Sequence, residues 1–291
     1  MSDLLPQGWM TPAIAYTISA IGSFLALAFA SRARRATGFI RWQWLGLAAL
    51  SLGGIAVWAM HFVAMLGYTA PGSPLRYDVL LTAISGVIPI LVTGTALHLV
   101  LRRPTAARLL TSGTLVGIGV VAMHYTGVAA MNTHGEMHHD PVYIALSCVI
   151  AVAAATVALW CARDLRGLPS MLLAALVMAA AVTAMHYTGM AGLHVVPPDF
   201  TPIGAPDGAK ARDLILPLIT GLFVFLLICS LFLLLGGDEE RERRDYARPS
   251  HRAAEHTVQS SDASYRPRHG SPEGPPPNRS RPADDVWTRR R

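Results

Sequence analysis

Seven apolar stretches, at 12–30, 44–68, 78–101, 109–131, 141–160, 169–194 and 214–235, account for most of this 291-residue chain. Runs of about 18 or more apolar residues are long enough to cross the hydrocarbon core of a bilayer as helices. Inside a bilayer every backbone N–H and C=O must be satisfied within the protein, so such runs fold as helices and not as irregular chain. The expected fold class is therefore all-α, a polytopic membrane protein of about seven transmembrane helices, with the lipid bilayer as its first partner. Composition agrees, with 52% hydrophobic residues, 14% charged residues and a mean hydropathy of +0.40. The formal charge of +6 does not point to nucleic acid, because lysine occurs once, at Lys210, and no basic stripe is interleaved with aromatics.

Basic residues set the expected orientation. Arg32, Arg34, Arg35, Arg41, Arg102, Arg103, Arg108, Arg163 and Arg166 fall in alternate turns, and the other turns hold only Arg76, Lys210 and Arg212. This predicts the N-terminus outside and the C-terminus cytoplasmic. Ala28-Phe29-Ala30 resembles a signal-peptidase site, but the arginines follow the first apolar run instead of preceding it, which marks a retained helix. Residues 201–236 are read as an outer loop and the seventh transmembrane helix. The stretch 237–291 is rich in Arg, Pro, Ser, Asp and Glu, and is read as a disordered cytoplasmic tail. Gly236-Gly237-Asp238-Glu239 imitates the start of a cyclase signature, yet the next residue is Glu240 and a membrane helix end adjoins it. Cys148, Cys161 and Cys229 lie in or beside apolar runs with no Cys-x-x-Cys pair, and are read as small packing residues.

Within the apolar runs one pentapeptide recurs. Met-His-Tyr-Thr-Gly occupies Met123 to Gly127 and again Met185 to Gly189, and a looser copy, Met60-His61-Phe62-Val63-Ala64-Met65, precedes both. The histidines stand at 61, 124 and 186, steps of 63 and 62 residues, which points to a duplicated two-helix unit. A histidine at membrane depth is costly and marks a functional site by default. Packing alone does not require the same dipeptide at one depth three times. If the even-numbered helices are neighbours, three imidazoles meet at one level below the outer surface.

Helical spacing brings thioethers to the same faces. Met65 and Met190 lie four residues after His61 and His186, and Met131 lies seven after His124. Met60, Met123 and Met185 precede each histidine and point about 100° away. Imidazole and thioether without carboxylate form a soft to borderline donor set, suited to copper and poor for magnesium or calcium. The expected metal residues are His61, His124, His186, Met60, Met123, Met185, Met65, Met131 and Met190. Tyr125 and Tyr187 are expected to support them by hydrogen bonds, which Phe62 cannot do. An outer loop carrying His134, Met137, His138 and His139 is expected to capture metal at the surface. His98 is unrepeated and is read as a helix-to-helix partner. Imidazole and thioether are also axial haem ligands, so an electron-transfer haem protein remains an alternative. A copper carrier or transporter is a second one.

The three Met-His copies on alternate helices resemble the MHYT domain of bacterial membrane sensors, over roughly residues 10–200 and six helices. The resemblance implies a non-enzymatic sensor in the bacterial cytoplasmic membrane. Its Met60, His61, Met123, His124, Tyr125, Met185, His186 and Tyr187 would hold copper near the outer face and present it to oxygen, CO or NO. Family members often continue into cyclase, phosphodiesterase or kinase domains, so the resemblance also implies a cytoplasmic signalling partner.

Overall fold

The computed structural model describes residues 8–69, 74–197 and 204–247. Most of the turn expected at 71–74, and the tail beyond residue 247, lie outside the described residues. The chain divides into two units, Met1–Leu234 and Leu235–Arg291, and the site described below lies wholly within the first.

Among the described residues, seven helices are long and apolar enough to span a membrane. They are α1 (Met10–Arg35), α2 (Gly38–Leu66), α3 (Val79–Arg102), α4 (Ala106–Ala129), α5 (Pro141–Asp164), α6 (Leu168–Ala191) and α7 (Ala211–Ala247), the last with its apolar part at Ala211–Phe232. The apolar runs understate most of these helices at the arginine end. Long arginine side chains lay their stems along apolar surface while the guanidinium reaches polar groups, so the helix continues past the last aliphatic residue. Arg34 shows this: it donates to the carbonyl oxygens of Ala162 and Leu165, the latter at 2.8 Å, tying the end of α1 to the end of α5. The backbone of α7 stays helical to Ala247, through the first eleven residues of the stretch read as a tail. Glu and Arg are good helix formers and sustain it.

The first six helices form a closed ring. Sequential neighbours pack on one another from α1 to α6, and α6 closes back on α1. The ring repeats every two helices, the period expected from the histidine steps; each motif helix ends one of the pairs α1–α2, α3–α4 and α5–α6, where the expected unit paired it with the helix that follows. Four short strands cap the end opposite the arginines: β1 (Arg76–Tyr77), β2 (Met131–Asn132), β3 (Glu136–His139) and β4 (Leu193–Val196). β1 pairs antiparallel with β2, and β3 with β4, so each ribbon ties the open ends of one helix pair. Asp78 and Asp140, sixty-two residues apart, begin α3 and α5 as matching N-caps, accepting from the backbone N–H of Leu81 and Val142.

The ribbons correct two sequence expectations. The sixth apolar run was expected to stay helical to His194, but α6 ends at Ala191 and His194 stands in β4. The fourth was expected to reach Met131, which instead lies in β2. A short apolar segment does not reveal by its composition whether it is helix or strand.

Helix α2 is irregular in a way that the sequence does not announce. Its middle, Leu50–Ala59, is π-helical, and regular α-helix resumes at Met60, immediately before His61. Such wide turns concentrate at functional sites. Trp58 fixes this stretch to α3, donating its indole N–H to the Thr82 carbonyl and the Ser85 hydroxyl at 3.2 Å each. The main core runs through the ring, with Phe29, Ala48, Leu97 and Leu159 fully enclosed, while Leu80, Leu91, Leu110, Leu173 and Phe223 face outward as a lipid-facing surface.

Candidate metal centre

His61 on α2, His124 on α4 and His186 on α6 meet at the centre of the ring, each no more than 2% exposed. Their rings stand edge to face around a near three-fold axis, with centroids 5.0, 4.9 and 5.2 Å apart and interplanar angles of 71–81°. The Nδ1 atoms point inward: His61 Nδ1 lies 2.9 Å from His186 Nδ1 and 3.2 Å from His124 Nδ1. All three ligand atoms fall within 4.8 Å of one another.

This geometry is one that a cation completes. A neutral imidazole carries one N–H, and among three converging nitrogens at most some contacts can pair a donor with an acceptor. With protons on the outward Nε2 atoms, three lone pairs converge on one point. Nitrogen ligands at about 2.0–2.1 Å from an ion stand roughly 3.3–3.4 Å apart in tetrahedral and roughly 3.5–3.6 Å apart in trigonal geometry, wider than the contacts of 2.9 and 3.2 Å here. The buried cluster thus fits a metal ion, and no carboxylate belongs to it.

The outward side explains the glycine of the pentapeptide. A Cβ on Gly127 would lie 2.4 Å from His61 Nε2, and one on Gly189 would lie 2.4 Å from His124 Nε2. Each glycine, three residues after its own histidine, makes room for the imidazole of the preceding copy. Among the described residues, neither His61 Nε2 nor His124 Nε2 has a hydrogen-bond partner. Gly127 and Gly189 were given no role from the sequence. The available signal was an isolated glycine kept twice inside a helix at the same offset.

The methionines separate into two groups. Met65, Met131 and Met190 gather in one cluster with Phe62, Tyr77, Val128 and Leu193, at the ribbon end of the motif helices. Met60, Met123 and Met185 are not brought together: Met123 and Met185 pack in the main core and Met60 against Ala15 and Ala64. Tyr125 lies edge to face on His124 at 4.8 Å and shares a 3.1 Å hydrogen bond with Ser147 Oγ. Tyr187 lies on His186 in the same manner at 5.0 Å. In the first copy Phe62 instead stacks on Trp58 and meets the edge of Tyr77, whose hydroxyl donates to the Met65 carbonyl at 2.9 Å. Tyr77 lies between helices, and burial pushes its phenol up to about 12.

Of the surface loop, Met137, His138 and His139 form part of β3 and His134 precedes it. His139 lies 5.6 Å from the ring of Tyr125, above His124. At the arginine end His98 stacks on Trp42 at 4.6 Å, away from the triad. Cys161 and Cys229 are buried free thiols and Cys148 is half-buried.

Comparison with known proteins agrees with this architecture. The family model described as a bacterial signalling protein N-terminal repeat, MHYT, matches residues 54–113 and 117–175, which hold His61 and His124. The third copy, with His186, falls outside those matches and is placed by the structure. The cyclic di-GMP phosphodiesterase NbdA of Pseudomonas aeruginosa is 35% identical over 241 residues, covering 80% of this chain and 30% of that protein. The bifunctional diguanylate cyclase/cyclic di-GMP phosphodiesterase MucR of the same organism is 38% identical over 208 residues, covering 69% of this chain and 29% of that protein. An uncharacterized signaling protein of Caulobacter vibrioides is 31% identical over 184 residues, 63% of this chain and 22% of that protein. The chain therefore spans under a third of the length of these relatives. No solved structure matches. With the repeated motif, the seven apolar helices and these relatives together, the chain belongs to the MHYT family of bacterial multi-pass membrane signalling proteins.

Proposed function

We propose that the chain is the sensing part of a signalling system and that its ligand is a copper ion held by Nδ1 of His61, His124 and His186. The observation that carries this reading is the convergence of three buried imidazole nitrogens with no carboxylate among them. Nitrogen donors under a lid of thioethers favour copper over hard cations. Met65, Met131 and Met190, clustered at the ribbon end, would form that lid, and His134, Met137, His138 and His139, in or just before β3, would be the residues that capture the ion. Bound copper would supply an open coordination position for a diatomic gas such as oxygen, CO or NO. The protein's own contribution is to exclude water, fix three imidazoles by their packing, and hold Tyr125 and Tyr187 against two of them.

One ligand comes from each helix pair, so an ion draws three pairs toward one arrangement. A ligand shifts a conformational equilibrium only by its differential affinity for the two states, and a centre shared by three units supplies that difference. With arginines facing the cytoplasm, the ribbon end and the triad lie near the outer surface and α7 carries the signal inward. NbdA and MucR are named for cyclic di-GMP enzymes. By analogy we assign the output of this chain to cyclic di-GMP signalling and assign no catalytic step to the helical ring. A haem is disfavoured by packing: rings with centroids about 5 Å apart and Nδ1 atoms at 2.9 and 3.2 Å leave no space for a macrocycle between any two.

The test is Cu(I) titration of detergent-purified full chain against a colorimetric chelator. Wild type is expected to take up one equivalent. His124→Ala and His186→Ala are each expected to weaken binding by at least a hundredfold, about 2.7 kcal/mol. Wild-type stoichiometry in the double variant would end the assignment.

A further inference from the structure

The ribbon formed by β3 and β4 carries two histidines that the buried centre does not use. His138 and His194 stand directly opposite each other across the two strands, and both are exposed. Directly opposed residues have Cβ atoms about 4.5–5.5 Å apart on one face of the ribbon, a separation from which two imidazoles reach a common ion. Glu136, two residues before His138 on the same strand, shares that face and is also exposed. The alternate residues, Met137 and Leu193, turn the other way and pack onto the apolar cluster under the ribbon.

The duplicated fold supplies an internal comparison. Sixty-two residues earlier, the ribbon of the preceding helix pair places Arg76 opposite Asn132, at the positions equivalent to His138 and His194. That ribbon pairs in the same register without any metal-binding side chain there. The strands therefore do not need imidazoles at this position to form. Two histidines at one cross-strand position, with a carboxylate on the same face, are the donor set for a borderline divalent cation.

We infer that His138 and His194 form a second, surface metal site, a clip for Cu(II) or Zn(II) that staples β3 to β4 and thereby the ribbon ends of α5 and α6. The clip is independent of what the buried triad binds, and its ligands come from two strands of one helix pair. Cu(II) titration of the full chain in detergent, followed by electron paramagnetic resonance, tests it. A chain with His61, His124 and His186 all replaced by alanine is expected to retain one Cu(II) with hyperfine structure from two imidazole nitrogens. Adding His138→Ala or His194→Ala is expected to weaken that binding at least tenfold, and the two together to weaken it little more than either alone. His139→Ala, on the opposite face of the same strand, is expected to change it less than threefold. Wild-type Cu(II) affinity in His138→Ala or His194→Ala overturns the site. So does an equal loss in His139→Ala, or complete loss of Cu(II) in the triad variant, which would place that ion in the buried centre instead.

Discussion

The glycines of the pentapeptide matter at the scale of single atoms. Because a Cβ on Gly127 would sit 2.4 Å from His61 Nε2, Gly127→Ala must push the first imidazole off the shared axis or part α2 from α4. Overpacking of this kind costs about 1–3 kcal/mol, and here much of the cost falls on imidazole placement. We expect Gly127→Ala and Gly189→Ala each to lower Cu(I) affinity at least tenfold while the helices still form, checked by titration together with circular dichroism. Ala64, the corresponding residue of the first copy, is already an alanine, so Ala64→Gly is the matched control and is expected to change affinity little. Tyr77 gives a second prediction at this scale. Its phenol is raised from 10 to about 12 by burial, so the folded chain keeps a proton that the unfolded chain releases. Stability from this group is intact below pH 10 and falls as pH rises through 12, by on the order of 2–3 kcal/mol. Thermal melts between pH 9 and 12 should show a smaller decline in Tyr77→Phe than in wild type, and equal slopes would contradict the assignment. At neutral pH the same variant loses the bond to the Met65 carbonyl, worth about 1 kcal/mol.

Elements differ in how much of them the sequence discloses. The seven helices were legible because a bilayer fixes their length and forbids alternatives. The convergence of His61, His124 and His186 was legible because it follows from a repeated depth on alternate helices. The ribbons were not, since strands of two to four residues leave no measurable period and Leu193, Val195 and Val196 continue the apolar character of α6. His194 was therefore missed as a surface histidine. The π-helical stretch of α2 was equally hidden: its Gly53-Gly54 pair weakens a regular helix and allows a close approach to the Pro89 carbonyl on α3, but neither announces a wider turn. The grouping of methionines also depended on packing: a residue next to a histidine in sequence points away from it on a helix, so Met123 and Met185 serve the core. The caps of α3 and α5 permit a prediction about elements. Asp140 holds the start of α5 beside the ribbon, where Asp140 N–H also donates to the Gly192 carbonyl. Asp140→Ala removes the side-chain cap and is expected to cost about 1 kcal/mol. Asp78→Ala should cost a similar amount, read as a lowered melting temperature in detergent, and no change in either would show the caps to be dispensable there.

For the molecule as a whole, the centre differs from a site built on one helix pair. Each histidine belongs to a different copy of the duplicated unit, so an ion held by all three would bind tightly only when all three pairs are assembled. Binding to the folded chain alone stabilises it by about 2.7 kcal/mol at a hundredfold excess over Kd. For a body of this size that corresponds to a rise of roughly 5–10 °C in melting temperature. On the proposed reading the three histidines act as a unit, so removing any one should abolish most of the rise, and removing two should add little. This non-additivity separates a shared centre from three independent metal contacts, for which the losses would sum. Melting curves of the full chain with and without Cu(I), for wild type, His61→Ala, His124→Ala, His186→Ala and the paired variants, make the comparison directly. A rise that survives in all three single variants, or that falls by a third with each histidine removed, would mean that the ring is not held by one common ion. In that case the copper reading loses its route from ligand to helix packing, and the triad would have to be explained by the neutral hydrogen bonds between its own Nδ1 atoms.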